Sequence, residues 1–170
     1  RLCRARRSAP PGRRLQLLEV SAGRRQRLLD RVAIEYSALG NHGLLWVTGG
    51  VVVAIATRHW WAIPRVAGAV WIALGLNYAL KRGVRRKRPL DRRGRAPLIV
   101  APATPSFPSS HAAMAGAGAV VLSLYAPAAW PLFATLAVLM AASRVYLAVH
   151  HVSDVVAGLA VGACVGAAFA

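Results

Sequence analysis

Charge and apolar character occupy different stretches of this chain, and that separation limits its fold more than any other feature. Residues 1–31 hold ten Arg and residues 81–95 hold nine further basic residues, while the other 124 positions contain only Arg58, Arg65 and Arg144. Five apolar runs fill the intervals, at roughly 43–61, 62–80, 111–126, 129–149 and 154–170. A surface helix of a soluble domain carries polar residues every turn on its outer face; these runs do not. The chain is 56% hydrophobic yet has a formal charge of +17. A soluble protein this basic would suggest nucleic acid, but not at this apolarity. Disordered and fibrous classes are excluded by the same numbers. The pattern predicts an all-α, polytopic membrane bundle of about five transmembrane helices with an N-terminal amphipathic helix.

Three regions follow. Residues 1–23 mix Arg with Pro and Gly and read as a basic, disordered tail. Residues 24–40 set Leu28, Leu29, Val32, Tyr36 and Leu39 among Arg24, Arg25, Arg27 and Arg31, an imperfect amphipathic pattern suited to an anionic leaflet. Residues 41–170 form the transmembrane domain. Several runs fall short of the ~20 residues needed to cross ~30 Å of hydrocarbon. Trp60, Trp61, Tyr125 and Trp130 suit the headgroup level. Small residues such as Gly116, Gly118, Gly158 and Gly162 permit close helix approach. Alternating the five spans puts the N-terminus, the 81–110 loop and the 149–154 turn on one face, which carries nearly all the charge and is expected to be cytoplasmic. No secretory signal peptide is expected, and a plasma-membrane location is. Cys3 and Cys164 are too few and too separate for a disulfide framework or a metal cluster.

Three polar clusters interrupt the apolar runs, and the expected topology places them all on that face. They are Lys81-x6-Arg88-Pro89, Pro108-Ser109-Ser110-His111 and Ser143-Arg144-x5-His150-x3-Asp154. Ionisable groups at a membrane edge are costly and mark function. Lys81, Arg88 and Arg144 offer charge and forked donors for phosphate oxygens. Ser109 or Ser110 can cap the helix starting near His111, whose free N–H groups favour an anion. His150 and Asp154 stand one helical turn apart, so the carboxylate can fix the imidazole tautomer. Spacing alone leaves His151 open as an alternative to His150. A nucleophilic histidine, a second imidazole to protonate the leaving group and cations in place of a metal suit phosphoryl transfer without metal or cofactor. His42 and His59 receive no role. Taken singly, the basic loop is a lipid anchor and the serines a helix cap; the co-occurrence points beyond those readings.

The clusters KRGVRRKRP (81–89), PSSH (108–111) and SRVYLAVHHVSD (143–154) resemble the signature of the type 2 phosphatidic acid phosphatase (PAP2) superfamily, in order and over residues 81–154. The resemblance implies that His150 is the nucleophile forming a phosphohistidine, that Asp154 orients it, and that His111 is the acid. It also implies that Lys81, Arg88, Arg144, Ser109 and Ser110 hold the phosphate. Ser110 replaces the family's usual Gly, and the six-helix plan is reduced to five spans. The short layout and cytoplasmic face resemble the subgroup acting on polyprenyl-phosphoryl sugar phosphates.

The expected function is therefore a lipid phosphatase acting on a polyprenyl-linked or glycerolipid phosphate. Undecaprenyl diphosphate and phosphatidylglycerophosphate are the alternative substrates. A non-catalytic anchor on anionic lipid is the alternative of another class. Vanadate-dependent halide oxidation, which shares the signature in soluble relatives, does not suit the membrane runs. The partners expected are a lipid phosphate and a bilayer containing anionic lipid. Nucleic acid is not expected, since no base-reading motif is present.

Overall fold

A computed structural model describes the backbone of residues 12–89 and 97–169, with side chains from residue 26 onward. The described residues form six α-helices and no strand: α1 Gly12–Leu39, α2 Leu44–Thr57, α3 Ala62–Val84, α4 Ser110–Tyr125, α5 Trp130–Tyr146 and α6 Val152–Ala167. Each of the five apolar runs becomes one helix, α2 to α6. Residues 1–11 of the expected tail and residues 90–96 of the loop lie outside the described residues. Helix occupies the described part of the stretch read as tail, from Gly12 onward. Strong helix formers in RRLQLLE (13–19) account for it.

Helix breaks fall where the chemistry demands them. Gly40 and the turn Asn41–Gly43 separate α1 from α2, with His42 (φ 55°) and Gly43 (φ 76°) in left-handed backbone. A Cβ on Gly43 would also run into the Val70 side chain, so this position needs glycine twice over. α3 ends at Arg85 (φ 47°), whose N–H closes on the Lys81 carbonyl at 3.1 Å. Pro127 stops α4 and opens the short turn to α5.

By length and apolarity α3 and the 127–146 segment are sufficient to cross a membrane. Gln26–Leu39 and Asn41–Thr57 pass the same test together as one span bent by 56°, an alternative to the in-plane placement expected of 24–40. α4 and α6 are apolar but, at 16 residues each, only ~24 Å long.

α4 is the central helix, buried continuously from Ala112 to Ala119. Its closest neighbour is α6, and small residues allow the approach. A Cβ on Gly162 would overlap the Ala113 carbonyl oxygen, and one on Gly158 would lie 2.6 Å from the Ser109 carbonyl oxygen. Two backbones this close bring the first turn of α6 against the first turn of α4: the Ser109 N–H donates to the Asp154 carbonyl at 2.9 Å. The sequence clusters around 109 and 154 thus meet through glycine packing several residues away.

Candidate active site

Lys81, in the last turn of α3, is buried and donates to the carbonyls of Pro105 (2.7 Å) and Ser106 (3.5 Å). Arg88 follows in the loop. Its Nε donates to the carbonyls of Pro102 and Thr104 at 3.0 Å each, and one terminal nitrogen reaches the Thr104 hydroxyl at 3.2 Å. The other terminal nitrogen donates to the Val149 carbonyl at 2.8 Å and lies 3.2 Å from Nε2 of His150. The loop segment 97–109 is therefore wrapped over two cations, and Ser106, Pro108 and Ser109 within it are buried. Arg144 of α5 is buried too; it donates to the Ser37 hydroxyl of α1, and its Nε has no hydrogen-bond partner among the described residues.

Ser109 takes the cap position of α4 but makes no side-chain capping bond. Its hydroxyl is buried and has no partner among the described residues, while its backbone N–H meets α6. The cap expected of Ser109 or Ser110 is thus absent as a side-chain bond. Ser110 instead donates to Oδ1 of Asn77 on α3 at 2.8 Å. The hydroxyl that replaces the family's glycine hydrogen is tied to a neighbouring helix. His111 is half-buried, with Nε2 3.1 Å from Oδ1 of Asn41 in the break between α1 and α2, and its ring packs where a Cβ on Gly40 would stand.

His150 and His151, equivalent by spacing, separate here. His151 is the N-cap of α6, in a reciprocal capping box with Asp154. Its backbone N–H donates to Oδ2 of Asp154 at 2.9 Å. His150 is buried, with Nδ1 3.6 Å from Oδ2 of Asp154. A guanidinium can only donate. Nε2 of a neutral His150 is consequently the acceptor facing Arg88, and the ring proton sits on Nδ1, on the Asp154 side. Burial, then the charges of Arg88, Arg144 and Lys81, push the His150 pKa down to about 3, with Asp154 acting in the opposite direction. The ring is neutral at physiological pH, and four of the charged side chains singled out in the sequence act on it together.

Asp154 is completely buried and accepts from more groups than its spacing to His150 suggests. Arg86 reaches Oδ1 at 2.8 Å, and the Ser106 hydroxyl donates to Oδ2. Arg86, Ser106, Asn77, Asn41 and Ser37 were not among the expected site residues. Asn77 had a signal: a lone amide in an apolar run, one turn before Lys81 and so on its face. Arg86 had none, being one cation among many in 81–95. Among the described residues no three His, Cys, Asp or Glu side chains gather as a metal site.

A helical bundle with buried cations and a neutral histidine beside a carboxylate suits phosphoryl transfer at a membrane. Residues 62–170 match the PAP2 superfamily, and the chain belongs to it. It is a phosphoric monoester hydrolase with apolar membrane helices. The chain is 38% identical over 136 residues to the decaprenylphosphoryl-5-phosphoribose phosphatase of Mycobacterium tuberculosis, covering 77% of this chain and 73% of the relative. It is 37% identical to the Mycolicibacterium smegmatis protein of the same name, over 72% of this chain and 67% of the relative. Among solved structures it resembles the transmembrane PAP2-type phosphatidylglycerolphosphate phosphatase of Bacillus subtilis, with a TM-score of 0.66 and 27% identity over 84% of this chain and 75% of that one. LpxE of Aquifex aeolicus shares the fold, with a TM-score of 0.69 and 24% identity over 91% and 93% of the two chains.

Proposed function

We propose that this protein removes the terminal phosphate from a polyprenyl-linked sugar phosphate, through a phosphohistidine on His150 and without a metal. The observation that carries the reading is the orientation of His150, with Nε2 toward Arg88 and the Nδ1 proton toward Asp154. The lone pair of Nε2 attacks phosphorus, the phosphorus–oxygen bond to the sugar breaks, and His111 protonates the departing alkoxide. Water then attacks phosphorus, His111 takes its proton, and the nitrogen–phosphorus bond breaks, returning its electron pair to Nε2. Lys81, Arg88 and Arg144 neutralise the phosphoryl oxygens, with Ser109 and the first N–H groups of α4 beside them. The names of the mycobacterial relatives support the polyprenyl pentose substrate.

An apolar groove of about 360 Å³ between α1 and α5, lined by Leu29, Val32, Tyr36, Leu139 and Tyr146 among others, supports a lipid tail. Its residues Tyr36 and Ser143 directly precede Ser37 and Arg144, the pair hydrogen-bonded at the phosphate site. The active site faces the cytoplasm of the plasma membrane in this reading, as the ten N-terminal Arg favour.

The test is phosphate release by the purified wild type and His150→Ala from a polyprenyl-phosphoryl pentose phosphate, phosphatidylglycerophosphate and undecaprenyl diphosphate. Release from the first substrate by wild type alone is expected. Equal release by His150→Ala refutes the nucleophile, preference for another lipid replaces the substrate, and no release from any favours the anchor. Val100, 95% exposed in the loop, reports the side. A Val100→Cys variant labelled from outside intact cells, in a background lacking Cys3 and Cys164, refutes the cytoplasmic placement.

A further inference from the structure

Asp154 is held by more donors than a carboxylate serving His150 alone requires. Oδ1 accepts from Arg86 at 2.8 Å, and Oδ2 accepts from the Ser106 hydroxyl and from the His151 N–H at 2.9 Å. Nδ1 of His150 stands 3.6 Å from that same Oδ2, outside hydrogen-bond range. Arg86 and Ser106 act as one unit: the Ser106 N–H donates to the Arg86 carbonyl at 2.8 Å, and the Arg86 guanidinium also reaches the Ser153 hydroxyl at 2.7 Å. Arg86 thus grips the first turn of α6 at two successive residues, from an unspecified position of the K-x6-R-P pattern. Each donor to a carboxylate withdraws charge from its remaining partners.

We infer that Arg86 and Ser106 are positioning residues that divide the charge of Asp154, so that it orients His150 while only weakly stabilising the charged ring. The inference rests on the proposed nucleophile. When Nε2 bonds to phosphorus the ring becomes cationic, and when water displaces it the ring leaves neutral with the electron pair restored. A carboxylate committed wholly to Nδ1 favours the first step and retards the second, because it stabilises the cationic phosphohistidine between them. Sharing that carboxylate with Arg86 and Ser106 keeps the intermediate labile. The charged groups acting on His150 are Lys81 from α3, Arg88 from the loop, Arg144 from α5 and Asp154 from α6; Arg86 acts through the last of these.

The test uses full-length wild type, Arg86→Gln, Arg86→Lys and Ser106→Ala in detergent with one lipid phosphate, so that the substrate's own ionisation is common to all. The acid limb of kcat/KM and the phosphoenzyme trapped by alkaline quench at saturating substrate are measured. Arg86→Gln is expected to move the limb to higher pH by about one unit and to raise the trapped fraction several-fold. Ser106→Ala, which removes no charge, moves both the same way by less, and Arg86→Lys lies nearer wild type. A uniform loss of activity with the limb unmoved overturns the inference. So does a shift in Arg86→Gln with none in Ser106→Ala, because that is long-range charge without sharing. Should Arg86→Gln not fold, the Lys and Ala variants decide by the same signs. His150→Ala separates the two readings: full turnover there removes the nucleophile itself, whatever Arg86 does.

Discussion

Acid should destabilise this protein in part through the His150 imidazole, by an amount that can be worked out. His150 is 4% exposed, and burial followed by the charges of Arg88, Arg144 and Lys81 holds its pKa at about 3 in the folded protein. In the unfolded chain the same ring takes up a proton near its ordinary value of ~6.5. Between those values the unfolded state binds a proton that the folded state refuses, so stability is full above the upper value and falls as pH falls toward the lower. At ~1.36 kcal/mol per unit, a drop to about two units below the unfolded value removes about 2–3 kcal/mol. For a chain of 170 residues each kcal/mol moves the thermal midpoint by roughly 2–4 °C, so the expected shift is roughly 5–10 °C. The assay is thermal unfolding in detergent, followed by tryptophan fluorescence, of wild type and His150→Gln at about pH 7.5 and about pH 4.5. Asp154 keeps Arg86 and Ser106 as partners in the variant, so carboxylate titration is common to both proteins. The wild-type midpoint should fall further than the variant's by that margin. An unchanged gap between the two proteins would refute the reading of His150 as a ring held neutral by its surroundings.

Gly162→Ala puts a methyl group against the backbone carbonyl of Ala113 and 2.8 Å from the Ala117 nitrogen, neither of which can yield without moving a helix. It should cost about 1–3 kcal/mol or more in thermal or denaturant unfolding and lower activity with it. Gly75→Ala on α3 meets nothing within 4 Å, and the same measurement should show it neutral or slightly stabilising. Ser110→Gly breaks the bond to Asn77 and should cost about 1 kcal/mol while phosphate release persists. A collapse of kcat at unchanged stability would mean that the hydroxyl itself holds phosphate. Ala142→Trp fills the groove between α1 and α5; it should raise KM for a long-chain substrate about tenfold and leave a short water-soluble phosphate ester unaffected.

The bundle was legible because a membrane span announces itself locally. Each apolar run becomes a helix within a few residues of its expected ends, and the breaks stand at Gly40, Gly43 and Pro127, where backbone rules place them. Lys81, Arg88, Arg144, His150 and Asp154 were legible because polar groups at the rim of apolar helices need a purpose. The partners of those groups were not. Ser37 reaches Arg144 from a helix 107 positions away, and Asn41 reaches His111 from 70 away. Such pairings depend on how α1 bends into α2, which no periodicity encodes. Ser110 illustrates the same limit: its type suggested a cap or a phosphate contact, and only the position of α3 turns its hydroxyl to Asn77.

The partners of the cations explain how this cluster holds together while suiting the proposed phosphate site. Lys81 and Arg88 are buried or half-buried, and a buried charge without a partner is severely unfavourable. Here the partners are mostly neutral carbonyls, those of Pro102, Thr104, Pro105, Ser106 and Val149. Carbonyl dipoles satisfy the N–H groups but leave the positive charge uncancelled, and the one carboxylate acting on His150 is already bound to Arg86. A carboxylate in place of those carbonyls would stabilise the empty site better and compete with phosphate for the same guanidinium. The wrapped loop 97–109 therefore orients the cations while preserving their attraction for a dianion. The proposed function would divide the +17 of the chain between two tasks. Under the proposed function the arginines of residues 1–31 meet lipid headgroups as charges screened by salt. In the same proposal Lys81, Arg88 and Arg144 hold the phosphate, and burial shields them from that screening, so substrate binding should change far less with ionic strength than adsorption to anionic vesicles.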